Sequence, residues 1–102
     1  MDAKSLDGKL LDIFGLLVEI IYDEHIQEDR EADGEFCDRL FNITIGDAIN
    51  HDELMHTLLH ETFHAYSKRI GLRQGISEET EEIIAESFTR FLVENFDIKL
   101  KP

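Results

Sequence analysis

Residues 50–71 have the sequence NHDELMHTLLHETFHAYSKRIG, and this stretch decides the fold. Asn50 or Asp52 can accept hydrogen bonds from the free backbone N–H groups of a first helical turn, and Gly71 can adopt the left-handed conformation that ends a helix. The stretch therefore predicts one long helix. Its apolar residues recur at the spacing of a single helix face, and they are Leu54, Leu58, Leu59, Phe63, Tyr66 and Ile70.

The middle of this helix carries the motif His60-Glu61-Thr62-Phe63-His64. Four residues of helix give about 40° of net rotation and ~6 Å of rise, so the two imidazoles point the same way, one turn apart. This spacing lets two nitrogens reach one zinc ion at about 2.0–2.1 Å. Glu61 lies about 100° away around the helix, where it can hold a zinc-bound water and take its proton. The motif predicts His60 and His64 as zinc ligands and Glu61 as the catalytic base.

The residues around the motif favour a metal site over a coincidental match of residue types. Leu58, Leu59 and Phe63 make this part of the helix apolar. Burying a charged glutamate together with two histidines is costly unless something compensates. A zinc ion accounts for all three polar residues together. The alternative is a coincidence of residue types, in which each histidine is an ordinary buried or capping imidazole.

A second helix is predicted to begin at Ser77, with Thr80 three residues later. Glutamates crowd its first turns, where negative charge complements the helix dipole. Farther along, residues at helical spacing predict the face that packs inward. That predicted face consists of Ile84, Phe88, Phe91, Leu92 and Asn95.

The third zinc ligand is expected on this second helix, because catalytic zinc sites usually combine three side chains with a water. Glu82 is the preferred ligand. Glu86 lies one turn farther on the same face, and we expect it to hydrogen-bond a zinc-bound histidine. Ala85 and Thr89 flank that face and are small enough for the two helices to approach closely. Glu81 is the rival ligand, because it falls near the middle of the predicted inward face.

Two segments before the motif helix predict β-strands. The β-branched run at residues 18–22 favours a strand, although residues 6–21 also have helical spacing. Apolar and polar residues alternate over residues 41–45, as in a half-buried strand, and residues 36–38 can form a short partner strand. The acidic segment 23–35 contains the turn signal Asp33-Gly34 and is predicted to be a solvated loop.

These elements predict an α+β fold with one domain over residues 1–102. We expect a small antiparallel sheet of two or three strands. It would pack on the motif helix and on the C-terminal helix that carries the glutamates.

The composition indicates which classes of partner and which cellular compartment to expect. The chain is 42% hydrophobic and 32% charged, which is typical of globular proteins. A formal net charge of −13 at pH 7 disfavours nucleic acid and anionic membranes as partners. No apolar run approaches the ~18 residues of a membrane span, and the N-terminus lacks signal-peptide features. A cytoplasmic location is therefore expected, and the single cysteine, Cys37, fits a reducing compartment.

The remaining histidines and the cysteine are expected to play smaller parts. His56 lies one turn before His60 and is predicted to be a polar residue of that face, the alternatives being a stray metal ligand or a group that supports one of the ligands. His25 falls in the acidic segment and is predicted to be exposed. Cys37 is predicted to be a small core residue and not a nucleophile.

The motif at residues 60–64 and the segment at residues 82–88 resemble the zincin metallopeptidases, and within them the gluzincin branch. The run from residue 57 to residue 95 is similar to small phage and prophage proteins of the ImmA/IrrE group of minimal metallopeptidases. The resemblance covers about half the chain, from Phe41 to Asn95. It implies a zinc ion held by His60, His64 and Glu82. It also implies that the strand at residues 41–45 lies antiparallel to a bound peptide.

Three functional hypotheses follow. The first is a zinc-dependent peptidase in which Glu61 activates the water that attacks a peptide carbonyl. The second is a peptide- or protein-binding module that keeps the zinc fold without turnover, because a 102-residue chain leaves little surface for a deep cleft. The third is a metal-free helical interaction protein.

Overall fold

The computed structural model describes residues 2–30 and 32–102 and has an α+β fold, which confirms the predicted class. Two single 3₁₀ turns, Lys4–Leu6 and Leu72–Gln74, accompany the regular elements. In chain order those elements are β1 (Leu10–Ile13), β2 (Leu16–Tyr22), α1 (Ile26–Arg30), β3 (Gly34–Cys37), β4 (Asn42–Ile45), α2 (His51–Ile70) and α3 (Glu78–Asn95).

Within residues 2–30 and 32–102 the sheet has four strands, in the order β1-β2-β4-β3. β1 and β2 are antiparallel, β2 and β4 are parallel, and β3 and β4 are antiparallel. The prediction of two or three antiparallel strands was therefore wrong in strand number and in direction. The missed strand is β1, which forms a tight hairpin with β2. Phe14 and Gly15 make its turn with positive φ angles of 53° and 88°, and Phe-Gly lacks the Asn-Gly or Asp-Gly signature of such turns.

The predicted strands at residues 18–22 and 41–45 are confirmed as parts of β2 and β4, and the short partner strand corresponds to β3. The predicted loop at residues 23–35 is partly wrong, because it holds α1 and the start of β3. Ile26 is only 2% exposed and anchors α1 against the rest of the protein. A single apolar residue in an acidic segment is a weak signal, which is why the sequence pattern did not reveal this helix.

Strand β4 lies inside the sheet, with β2 on one side and β3 on the other. The expectation that residues 41–45 would lie against a bound peptide is therefore wrong, since neither edge of β4 is open. β3 is the edge strand on this side. The Gly46 N–H donates to the Asp33 carbonyl at 3.0 Å. Because bonded and non-bonded pairs alternate in an antiparallel ladder, Gly34 and Phe36 direct their backbone N–H and C=O groups toward the open edge.

Helix α2 begins and ends as predicted. The Asn50 side chain accepts a hydrogen bond from the Glu53 N–H at 2.9 Å, and Gly71 ends the helix with φ of 75°. Its C-terminal apolar residues, Tyr66 and Ile70, are exposed, in contrast to the predicted face. The core-facing residues of α2 are Leu54, Met55, Leu58 and Ala65, and they pack with Val18, Ile20, Ile43 and Ile45 of the sheet.

Helix α3 begins after its cap Ser77, as predicted, but it packs through a different face. Its buried residues are Glu81, Ala85 and Thr89, which follow one another at intervals of one turn. The predicted inward residues Phe88 and Phe91 are 52% and 53% exposed. The reason lies in the opposing surface of α2, which presents histidines, so carboxylates and small residues of α3 face it instead of large apolar ones. No helix in the described ranges is long and apolar enough to cross a membrane.

The close approach of β3 to α2 depends on Gly34. A Cβ atom at this position would lie 2.7 Å from Thr57 Cγ2 and 3.3 Å from Glu61 Cγ. We expect Gly34→Ala to lower the free energy of unfolding by about 1–3 kcal/mol, because a packed contact has to shift. Urea unfolding curves measure this change.

Gly75→Ala is the matched control, because its Cβ would meet nothing closer than 3.7 Å. We expect it to change the free energy of unfolding by less than about 1 kcal/mol. Thr57→Ser removes Cγ2 and is expected to restore part of the stability lost in Gly34→Ala. A Gly34→Ala variant with the wild-type urea midpoint would contradict this account of the packing.

Candidate metal centre

Three histidines of α2 form a ladder on the face that meets α3. His56, His60 and His64 follow at intervals of four residues, so they are stacked one helical turn apart. Their ring centroids are 6.2 Å apart for the first pair and 5.1 Å apart for the second. All three side chains are largely buried, with 14–19% exposure.

The glutamates of α3 meet this ladder in antiparallel order. Glu81 contacts His64, and Glu86, farther along α3, contacts His60 and His56. Residue numbers thus rise along α3 while they fall along α2. Two successive turns of α3 therefore bring carboxylates opposite the turns of α2 that carry the imidazoles.

The Glu82 carboxylate spans the two histidines of the motif. Its Oε1 lies 2.8 Å from His60 Nε2 and its Oε2 lies 2.9 Å from His64 Nε2. The ligand atoms of these three residues all lie within 4.8 Å of one another. Glu82 is 56% exposed, so the group is open to solvent on this side. The structure thus brings together the three residues predicted as zinc ligands.

A second carboxylate lies behind each of the two imidazoles. His60 Nδ1–H donates to Glu86 Oε2 at 3.0 Å, and His64 Nδ1–H donates to Glu81 Oε1 at 2.5 Å. Such bonds fix the ring orientation and leave Nε2 as the atom that faces a metal. Glu86 thus hydrogen-bonds a motif histidine, as expected. Glu81, the rival ligand, uses its other oxygen to accept from Arg73 Nε at 2.8 Å, so both of its oxygens are engaged within the protein.

Arg73 links Glu81 to the turn that follows β3. The Arg73 Nη1 donates to both oxygens of Asp38 at 2.9 and 2.7 Å, and the Arg73 Nε donates to Glu81. Glu81 is only 1% exposed. Burial by itself raises the pKa of Glu81, but the hydrogen bonds from Arg73 and His64 outweigh burial and hold that pKa below its usual range. The carboxylate behind His64 is therefore held in its charged, accepting form.

Glu61, the predicted base, lies between α2 and the edge strand β3. Burial raises its pKa above the usual range, and the neighbouring His60 and His64 and a hydrogen bond from the Phe36 N–H only partly oppose that rise. Glu61 lines two cavities, of about 220 Å³ beside Gly34 and about 190 Å³ beside Phe36. It therefore stands where two small clefts along β3 meet.

The donor set fits a zinc ion. Two imidazole nitrogens and one carboxylate oxygen converge, and this combination with a free position is typical of catalytic zinc. Around the two imidazoles stand four carboxylates, and a divalent cation would offset much of that negative charge. These carboxylates belong to Glu61, Glu81, Glu82 and Glu86.

Sequence reasoning missed the part played by Arg73 and underrated His56. Arg73 follows Gly71 in a short 3₁₀ turn, where no periodic pattern reports its partners. His56 contacts Glu86, with 3.3 Å between Nε2 and Oε1. His25 is exposed, as predicted, and Cys37 is half-buried in β3. The His51 ring nitrogen Nε2 lies 2.9 Å from the Ile98 carbonyl, away from the motif.

No protein-family model, curated protein or solved structure matches this chain. Function is therefore inferred from the motif and from the geometry of the chain's own residues.

The Arg73–Glu81 pair should contribute to stability through Glu81. We expect Arg73→Ala to lower the free energy of unfolding by about 1–3 kcal/mol, because it leaves a buried carboxylate with one fewer hydrogen bond. Arg90→Ala is the control, since Arg90 pairs with Glu86 at 3.0 Å but both side chains are well exposed. That control should change stability by less than about 0.5 kcal/mol. Equal effects of the two substitutions in urea unfolding with chelator present would contradict the assignment.

Proposed function

We propose that this protein is a zinc-dependent peptidase of the zincin type. His60, His64 and Glu82 would hold the zinc ion, and Glu61 would act as the general base. The observation that carries this proposal is the Glu82 carboxylate, which lies 2.8 and 2.9 Å from the Nε2 atoms of the two motif histidines. Glu61 stands beside this group at the junction of two clefts, which is the place a catalytic base requires.

The chemistry follows from the roles of these side chains. When bound, zinc polarises a peptide carbonyl and makes water more acidic. Glu61 would accept a proton from the attacking water, because its carboxylate stands beside the ligand group and lines both clefts. The protonated Glu61 then delivers the proton to the departing amine. Glu86 and Glu81 keep the two imidazoles in the required orientation.

The substrate class is supported by the edge strand. β3 presents the backbone groups of Gly34 and the Phe36 C=O to its open side, while the Phe36 N–H donates to Glu61. An extended peptide can pair with such an edge. Glu61 lies directly against this strand, so a paired peptide would pass the base. The 190 Å³ cavity at the Phe36 end is lined by Glu78 and Glu82 among others. This acidity and the net charge of −13 favour peptides with basic side chains there.

A binding module without turnover is the second candidate. The two clefts beside Glu61 measure only about 220 and 190 Å³, whereas small-molecule sites usually span about 300–1,000 Å³. Under this alternative the zinc group would brace α2 against α3 while a peptide pairs with β3. We also propose that the protein is cytoplasmic and of phage or prophage type, which is compatible with either candidate.

Substitution of the base separates the two candidates. We expect Glu61→Gln to lower kcat/KM on a casein-like substrate by about 10²–10⁴-fold, because the general base is lost. Zinc content should stay unchanged, since the ligands are intact. Glu79→Gln, an exposed change on α3, is the matched control and should retain full activity. Equal cleavage by Glu61→Gln and wild type would refute the mechanism, and cleavage by neither would favour the binding module.

Replacement of Glu82 tests the ligand set. We expect Glu82→Gln to weaken zinc binding by at least about tenfold, because the amide is a poorer ligand than the carboxylate. Wild type saturated at 100 times its dissociation constant should be stabilised by about 2.7 kcal/mol, and chelator should remove that gain. Thermal melts with and without chelator measure it, with Glu79→Gln again as the control. A wild-type protein that is indifferent to zinc and chelator would exclude both zinc candidates.

A further inference from the structure

The contact between α2 and α3 repeats the same donor set one helical turn away. His60, His64 and Glu82 form the first group, and His56, His60 and Glu86 form a second group whose ligand atoms also lie within 4.8 Å of one another. The repetition follows from the antiparallel packing, because a step of four residues back on α2 meets a step of four residues forward on α3. His60 belongs to both groups.

The second group has the distances of a metal site, and its two imidazoles are largely buried. Glu86 Oε1 lies 3.3 Å from His56 Nε2 and also accepts from the exposed Arg90 at 3.0 Å, while Glu86 Oε2 lies 3.0 Å from His60 Nδ1. His56 Nε2 is buried and has no hydrogen-bond partner in the described part of the chain. The contact with Glu86 lies within ion-pair distance but outside hydrogen-bond geometry. A buried nitrogen of this kind is costly to leave unsatisfied, and a metal ligand bond would satisfy it.

Access to the second group is open. The 220 Å³ cavity beside Gly34 is lined by His56, His60 and Glu86 as well as by Glu61. An ion from solvent can therefore reach this group through the same cleft that leads to the base. Two nitrogens and one carboxylate oxygen select a divalent transition metal over Mg²⁺ or Ca²⁺, which prefer sites built from oxygen alone.

We propose that His56, His60 and Glu86 form a second site for a divalent transition-metal ion, and that it competes with the first site for His60. A neutral imidazole has one lone pair, so His60 can serve only one ion at a time. With the first site filled through His60 Nε2, the second ion keeps only His56 and Glu86 as protein ligands. With the first site empty, His60 Nδ1 completes the second group.

The proposal goes beyond peptidase activity, because its test measures metal binding alone. Zn²⁺ is titrated against a chromophoric chelator in a large excess of Mg²⁺, which occupies sites built only from carboxylates. Wild type should bind one ion tightly and a second at least about tenfold more weakly, since that ion lacks His60. His56→Ala should keep the tight ion and lose the weak one.

The variant His64→Ala isolates the second group. It should still bind one ion, through His56, His60 and Glu86, and the double variant His56→Ala/His64→Ala should bind none tightly. His25→Ala is the control for surface binding, because His25 lies 3.3 and 3.5 Å from Glu24 and Glu28 in an exposed cluster. It should bind as wild type does. Far-UV circular dichroism checks the fold of each variant, and His56→Gln and His64→Gln replace the alanine variants if these unfold.

Two results would overturn the second site. One is a wild type that binds a single ion together with a His64→Ala variant that binds none. The other is a double variant that binds as many ions as His64→Ala, which would assign the extra ion to the acidic surface. Failure of the first site has a different signature, namely a His56→Ala variant that binds no ion while His64→Ala still binds one. The two proposals can thus fail separately.

Discussion

The antiparallel packing of α3 on α2 is the contact on which the site depends. It places three carboxylates against a ladder of three imidazoles in a region where each histidine is mostly buried. Ala85 and Thr89, both buried in the contact, are small enough for the helices to approach closely. Burying charge is costly unless partners compensate, and here every carboxylate meets an imidazole or an arginine. The same contact therefore explains the packing of the helices and the convergence of metal-type donors.

The packing of α3 on α2 leaves large apolar side chains exposed on the outer face of α3. Ile84, Phe88 and Phe91 remain at least 37% exposed, although they are large apolar residues. A helix usually turns its apolar stripe inward. In this protein the opposing surface carries histidines, so the polar residues of α3 gain more from facing inward than its phenylalanines do. Local hydrophobicity is thus outweighed by the pairing of carboxylates with imidazoles.

The sequence predicted the features that arise from local rules. The caps Asn50 and Gly71 and the strand β4 follow from backbone preferences and from the alternation of apolar and polar residues. Glu82 was expected beside the motif because a catalytic zinc site needs a third ligand. The hairpin at Phe14 could not be predicted, since its turn uses positive φ angles without the usual residue types. The link from Arg73 to Glu81 spans two elements, and no periodic pattern reports such a partner. Features set by tertiary contact, including the buried face of α3, could therefore be identified only from the structure.

X-ray absorption spectroscopy of the zinc-loaded protein tests the central claim most directly, because it counts the atoms around the metal. The account predicts one tightly held zinc ion with two imidazole nitrogens at about 2.0–2.1 Å and oxygen ligands at about 2.0–2.2 Å, without sulfur. In Glu82→Gln made on a His56→Ala background, which removes a histidine of the second group, the carboxylate oxygen should be replaced or the ion lost. A zinc ion with sulfur from Cys37, with fewer than two imidazoles, or with an unchanged shell when Glu82→Gln is added to His56→Ala would contradict the assignment of His60, His64 and Glu82.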